Sequence, residues 1–396
     1  MIRGDRARRR LLGLAFAVPL LFLAAHLLTR GAFEVAAVGP SSRDIRVLLG
    51  ARPGTLAIDA DLLLLDDGEP LGASAVLRAA VDAVVLEVGD RERRLATPFG
   101  LAWYGTARLR LDDGPERFDD GRLEVGLDED ARLRLVLVTP IEPYLTGVLA
   151  REMGRSFPPA ALEAQAVAAR SYAVQCARRA AATGRDFDLF DDTRSQGYGG
   201  ISDSPPLRKA VRATRGLVLA RDGRVLRAYY GSVCGGRTRD GHERFRDVPV
   251  DALPSVVCGG CDGAPLFEWR RQLDAASLRR LVPGLGPGPL ALSPTATSPR
   301  GDWLGAVAVA GRGEPVPVPL DALARAFRLP STWITGVERL QDGLALVGHG
   351  FGHGVGLCQR GAEAWAGRGE DFRAILARYY PGADLVPLEA LGRPPR

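Results

Sequence analysis

Two spacings of apolar residues divide the chain. From Ile45 to about Val138, short apolar runs (Ile45 to Leu49, Leu62 to Leu65, Val84 to Val88, Ala107 to Leu111, Leu133 to Val138) are separated by Asp-Gly and Asp-Asp-Gly signals, which predicts β-strands joined by turns. After Pro143 the period changes. A helix starting at Pro143, where the missing N–H costs nothing, sets Leu145, Val148, Leu149 and Glu152 at the i, i+3, i+4, i+7 spacing of one face. A second helix starts near Pro158 or Pro159 and runs to Gly184, a residue suited to a C′ position. A polar loop follows at Asp191 to Ser204, then strands at Gly216 to Ala220 and Val225 to Gly231. Residues 282–300 are rich in Pro, Gly, Ser and Thr and read as a loop or linker. Later helices are expected at Leu320 to Arg328 with Asp321 as N-cap, around Val355 to Ala366, and from Glu370 to Tyr380, ended by Pro381-Gly382. The class is α+β: a β-rich part over 31–140, a core over 141–385 with buried central helices and a C-terminal helical segment, and a tail over 386–396.

Two of these helices carry ionisable groups on apolar faces. Glu152 continues the buried stripe of the first. In the second, Arg170 is flanked at three and four residues by Ala166, Val167, Ala173 and Val174, and Gln165 by Ala161, Leu162, Ala168 and Ala169. A helix apolar nearly all round is a buried one, so its few polar side chains need partners. Taken singly, Glu152 could sit at a frayed helix end in water and Arg170 could belong to a structural ion pair. Together they favour a site, because a carboxyl held on an apolar surface stays protonated and can act as a general acid.

Charge adds an address rather than a binding surface. The first ten residues hold five Arg and one Asp, net +4, so the formal +5 of the 396-residue chain leaves +1 for the remainder. A nucleic-acid footprint needs clustered positive charge in the folded part, and there Arg is interleaved with Asp and Glu, so no nucleic-acid partner is expected. Arg3, Arg6, Arg8, Arg9 and Arg10 precede an uncharged stretch from Leu11 to Thr29, about the length of a membrane span with positive charge on the inner side. Residues 1–30 are therefore expected to be a signal peptide or a membrane anchor, with the rest exported, either tethered to the membrane or secreted.

Five cysteines occur. Cys176 falls on the buried face of the second helix and reads as a small core residue. Cys234, Cys258, Cys261 and Cys358 sit beside glycines, in Cys234-Gly-Gly, Cys258-Gly-Gly-Cys261 and Gly356-Leu-Cys-Gln. Glycine lets loop backbone turn tightly enough for thiolates to converge on a metal, so a structural tetrahedral zinc site is plausible, with His242 as an alternative ligand. Disulfides compete with it, since an exported protein meets an oxidising environment. The run Gly348-His-Gly-Phe-Gly-His-Gly-Val-Gly matches neither the Walker A nor the dinucleotide pattern, and no organic cofactor is expected. So much glycine around His353 implies close backbone packing.

Set in order, Pro143-Tyr-Leu-Thr-Gly-Val, Glu152-Met, Glu163-Ala-Gln-Ala-Val-Ala-Ala-Arg-Ser-Tyr, Ser195-Gln-Gly-Tyr-Gly-Gly, Ala213-Thr-Arg-Gly-Leu-Val-Leu, Cys234-Gly-Gly-Arg-Thr, Gly352-His-Gly-Val-Gly-Leu-Cys-Gln-Arg-Gly-Ala and Tyr379-Tyr-Pro-Gly-Ala resemble the SpoIID/LytB family, the stage II sporulation protein D and amidase-enhancer domain of bacterial cell-wall proteins. The resemblance covers residues 45–385. It implies a SpoIID-like domain and lytic transglycosylase activity on peptidoglycan glycan strands stripped of stem peptides. The family's catalytic glutamate falls on Glu152 and its arginine on Arg170, which would orient Glu152 or meet the sugar. Gln165, Gln196, Tyr198 and His353 are candidates for sugar contact. Cys234 and Cys358 resemble the branch of the family that carries Cys where others carry Ser. The sequence departs from the family pattern at Gly154, where Pro is usual, and at Arg237, where the Cys-containing branch often has His. A second function class stays open: a non-catalytic module that holds glycan and stimulates a cell-wall amidase.

Overall fold

A computed structural model describes residues 44–50, 52–245, 247–285, 288–297, 303–311, 313–341 and 343–391. The expected signal peptide or anchor, residues 1–30, lies outside them. Among the described residues no helix is long and apolar enough to cross a membrane.

The chain is mixed α/β and mostly sheet, with eight helices among the described residues. Its first part is an 11-stranded sheet. Strand Thr55–Leu65 is the pivot: Leu56 to Asp59 pair with Ala107–Leu111, whereas Leu62 to Leu65 pair with Phe99–Tyr104. Sharing one long strand between two partners bends the sheet over a core that includes Leu56, Ile58, Leu63, Leu101, Leu109 and Leu123. Period-2 alternation chose the inward face, as in Asp44–Leu48, where Ile45 and Val47 are buried. The outer strand Arg91–Leu95 is Arg-Glu-Arg-Arg-Leu, a charged edge that resists pairing with another chain.

The sheet delivers the chain to the helices. Strand Leu133–Pro140 pairs antiparallel with Asp44–Leu48 and Arg122–Leu127 and runs straight into helix α1, Ile141–Glu152. The buried side chains of α1 include Tyr144, Leu145, Val148 and Leu149. Gly154 ends it, with φ +80° and its N–H on the carbonyl of Leu149 at 2.9 Å. Proline cannot adopt that φ, so the departure at this position means a loop of different path. Helix α2, Pro159–Thr183, is buried from Ala164 through Ala173 and stops at Gly184 in the left-handed region, as its composition predicts. Helix α3, Pro205–Ala213, and strand Leu217–Arg221 pack on α2. A single helical turn, α4, spans Gly241–Arg244.

A second hydrophobic core gathers Trp269, Leu278, Val307, Leu323 and Leu346. Helices α5, Ala275–Leu281, and α6, Leu320–Phe327, cover two three-stranded sheets there. Within this unit, residues 282–300 are not simply a linker: Ala291–Thr297 is a strand paired with Leu304–Ala310, its apolar positions being too few to read as one. The N-cap of α6 is Pro319, not Asp321, which lies in the first turn. Helices α7, Gln359–Gly367, and α8, Phe372–Tyr379, then return to the first core.

Candidate functional site

The end of α1 builds the site. Glu152 is the last residue of the helix and half-buried. The loop after the two-residue strand Leu189–Phe190 closes over it, and the Gly197 amide donates to Glu152 Oε1 at 2.7 Å. Burial raises the Glu152 pKa, while the Gly197 amide, the Gln359 carboxamide and the Arg151 charge oppose the rise without cancelling it. The C-terminal end of a helix dipole also disfavours a carboxylate. The result is a carboxyl biased towards its protonated form, with one oxygen held by a fixed donor.

The loop reaches Glu152 because α1 has no side chain in its way at Gly147. A Cβ there would lie 2.1 Å from the Gly200 carbonyl oxygen and 2.6 Å from the Tyr198 ring. Tyr198 is buried, its ring 4.6 Å from that of Tyr144 and its hydroxyl donating to Asp119 at 2.5 Å. Asp119 in turn pairs with Arg117 at 2.7 Å. Gln196 is also buried, accepting from the Tyr144 hydroxyl at 3.0 Å and donating to the Ala169 carbonyl at 3.1 Å.

These contacts correct several expectations about individual residues. Gln196 and Tyr198, candidates for sugar contact, spend their polar atoms inside the protein and fix the loop that carries Gly197. His353 packs edge-on to Tyr229 and Phe245. Its Nδ1 accepts from the Val355 amide at 3.0 Å. Burial lowers its pKa to about 4, against a backbone hydrogen bond with Tyr230, so it is a neutral, internally satisfied ring. Gln165 is fully buried in α2, with neither amide atom partnered. Sequence spacing placed all four near a site, but only packing decides which way a side chain is spent.

Arg170 differs most from expectation. It is fully buried, and its Nε and Nη2 donate to Glu142 Oε1 and Oε2 at 2.9 and 2.7 Å. Further donors reach the carbonyls of Leu217 and Val211 at 3.2 and 3.4 Å. Neither orienting Glu152 nor meeting a sugar fits this geometry: the guanidinium is committed to the opposite end of α1. Glu142 also accepts from the Gly216 amide at 3.2 Å. The pair ties α1, α2, the end of α3 and the following turn together, which is the structural ion pair the residue types allowed. Glu142, which lies before the helix start expected at Pro143, carried no signal in the sequence pattern; the structure places it in the first turn of α1.

The four loop cysteines converge. The Sγ atoms of Cys234, Cys258, Cys261 and Cys358 all lie within 4.8 Å of one another, buried, with Cys234 and Cys261 at 3.6 Å. No disulfide joins the described cysteines. A tetrahedron with metal–sulfur arms of ~2.3 Å has sulfur–sulfur edges of ~3.8 Å, so the cluster could hold a metal ion. Cys358 Sγ accepts from the amides of Cys234 and Gly361 at 3.3 and 3.4 Å, and the Tyr379 hydroxyl lies 3.1 Å from Cys258 Sγ. His242 stays outside the cluster, its Nδ1 2.8 Å from the Val248 carbonyl oxygen. Cys176 is buried in α2, away from the four. The Gly-His run supplies the close backbone packing its composition implies: Phe351 bridges Val233, Val355 bridges Arg239, and Leu357–Cys358 pairs with Tyr230–Gly231.

Residues 129–220 match the family model SpoIID, described as stage II sporulation protein. That span holds α1, α2 and the Gly197 loop. The chain is 32% identical to an uncharacterized protein of Brachyspira hyodysenteriae over 62% of its own length and 66% of that protein. It is 26% identical to the amidase enhancer of Bacillus subtilis over 86% of its length and 59% of that protein. To the stage II sporulation protein D of the same organism it is 27% identical, covering 63% of this chain and 76% of the relative. The chain thus spans just under two thirds of the first of these relatives and about three fifths of the second.

Proposed function

The chain belongs to the SpoIID/LytB family, and on that premise we propose that it acts on the bacterial cell wall as a peptidoglycan lytic transglycosylase, with Glu152 as its single acid and base. The observation that carries this reading is the Glu152 carboxyl itself, raised in pKa by burial and held by the Gly197 amide at 2.7 Å.

The chemistry asks for one carboxyl. Protonated Glu152 gives its proton to the oxygen joining C1 of N-acetylmuramic acid to the next N-acetylglucosamine, and the C1–O bond breaks. The 6-hydroxyl of the same muramic acid attacks C1 and gives its proton to the Glu152 carboxylate. A 1,6-anhydro end forms and the acid is restored. Hydrolysis by added water would call on a second carboxylate at a set separation; the intramolecular hydroxyl makes that group unnecessary.

In this reading the four thiolates hold structural zinc. A closed four-sulfur shell leaves no open position for water, so zinc would fix the loops bearing Cys234, Cys258 and Cys261 to the start of α7. The substrate requires an exported protein, and residues 1–30 would supply the signal peptide or membrane anchor. The second reading, a glycan-holding module that stimulates a cell-wall amidase, is favoured by the likeness to the Bacillus subtilis amidase enhancer over most of the chain.

Digestion of peptide-free glycan strands followed by mass spectrometry separates the two. Wild type is expected to release 1,6-anhydro products and Glu152→Gln is not. A wild type that releases none, or a variant that releases as much, overturns the enzyme reading.

A further inference from the structure

Gln359 joins the cysteine cluster to Glu152. Cys358 is the N-cap of α7, with its Sγ accepting the Gly361 amide at 3.4 Å. Gln359, the next residue, opens the helix and is only 4% exposed. Its carboxamide lies beside the Glu152 carboxyl. Its Nε2 is buried and has no hydrogen-bond partner, although buried polar groups are nearly always satisfied. The Gly197 amide already occupies Glu152 Oε1, so the second carboxylate oxygen is the acceptor left for this donor.

We propose that Gln359 is a positioning residue for Glu152, donating from Nε2 to the carboxylate formed when the acid has given up its proton, and held in place by the cysteine cluster through Cys358. The inference rests on the reading of Glu152 as the acid. The other groups facing Glu152 are Arg151 on its own helix, the Gly197 amide, and the phenols of Tyr144 and Tyr230. Burial raises both phenols well above their ordinary range, so neither brings a charge. Gln359 is therefore, beside the Tyr230 hydroxyl, a neutral buried donor without a partner that can respond to the proton leaving, without gaining or losing a proton itself. It returns to its unpaired state when the carboxylate takes the proton back from the sugar hydroxyl.

The test is a ¹³C NMR titration of the Glu152 carboxyl in the whole protein and in Gln359→Leu, with metal analysis and product release measured on the same samples. Gln359→Leu is expected to raise the Glu152 midpoint by about one pH unit and to lower turnover by about tenfold, with KM and metal content kept. An unchanged midpoint overturns the proposal. If Gln359→Leu loses its metal, Gln359→Glu preserves the shape and adds a like charge, which must raise the midpoint further; no rise there overturns it equally. A shifted midpoint in a protein that makes no anhydro product sinks the transglycosylase reading and leaves the positioning role standing.

Discussion

Arg170 and Glu142 form a two-point ion pair, at 2.9 and 2.7 Å, between the middle of α2 and the first turn of α1. Glu152 closes the other end of α1. An arginine that looks catalytic by its place in a motif thus secures the helix whose far end carries Glu152.

Removing one partner of a buried pair leaves an uncompensated charge and costs about 3–5 kcal/mol. Arg170→Leu is therefore expected to lower unfolding stability by that order, read as a lower urea midpoint, and Glu142→Gln by at least as much, since it leaves the fully buried guanidinium without its counter-charge whereas Glu142 is partly exposed. Double replacement by apolar residues should recover much of the loss. Full stability with lost activity in Arg170→Leu would place the guanidinium in the chemistry instead.

Gly147→Ala should break the site without touching a polar group. Its Cβ would stand 2.1 Å from the Gly200 carbonyl oxygen, and overpacking of this kind costs about 1–3 kcal/mol. The relief available is outward movement of the 195–200 loop, which withdraws the Gly197 amide from Glu152. Loss of product release larger than the loss of stability, seen in parallel assays and thermal melts, is the expected result.

The Glu152 shift has a defined sign. Its folded-state pKa is raised by burial above the unfolded value, about 4.3. Folding therefore binds a proton between the two values, and stability falls as pH rises through that window, then levels off above the folded pKa. Glu152→Gln removes that slope. Urea unfolding of both proteins from pH 4 to 8 should show Glu152→Gln gaining on wild type as pH rises. Parallel curves would mean that the carboxyl is not desolvated.

The cysteine cluster predicts one zinc per chain by elemental analysis. Cys258→Ser should bind less metal and melt at lower temperature, because a structural zinc site contributes folding energy outright. His242→Ala should keep both metal and melting temperature, since its Nδ1 faces the Val248 carbonyl rather than the sulfurs. Absence of metal together with absence of free thiols would return the site to disulfides.

The sequence by itself determined most of the elements that surround Glu152 and singled out Glu152 and four cysteines. Short apolar runs between turn signals set the strands, the change of period near Pro143 set α1 to within two residues of its start at Ile141, and Gly184 set where α2 stops. Motif order brought Glu152 and the four cysteines forward, because acids and thiols on apolar or glycine-rich backbone are rarely idle. Tertiary structure alone decided how each polar group is used. Arg170 met Glu142 because α2 crosses α1 near its first turn; Gln196, Tyr198 and His353 turned inward to satisfy buried partners; and Ala291–Thr297 became a strand by pairing with Leu304–Ala310. A hydrogen bond is a relation between segments distant along the chain, and local periodicity records only which face is buried, not what that face meets.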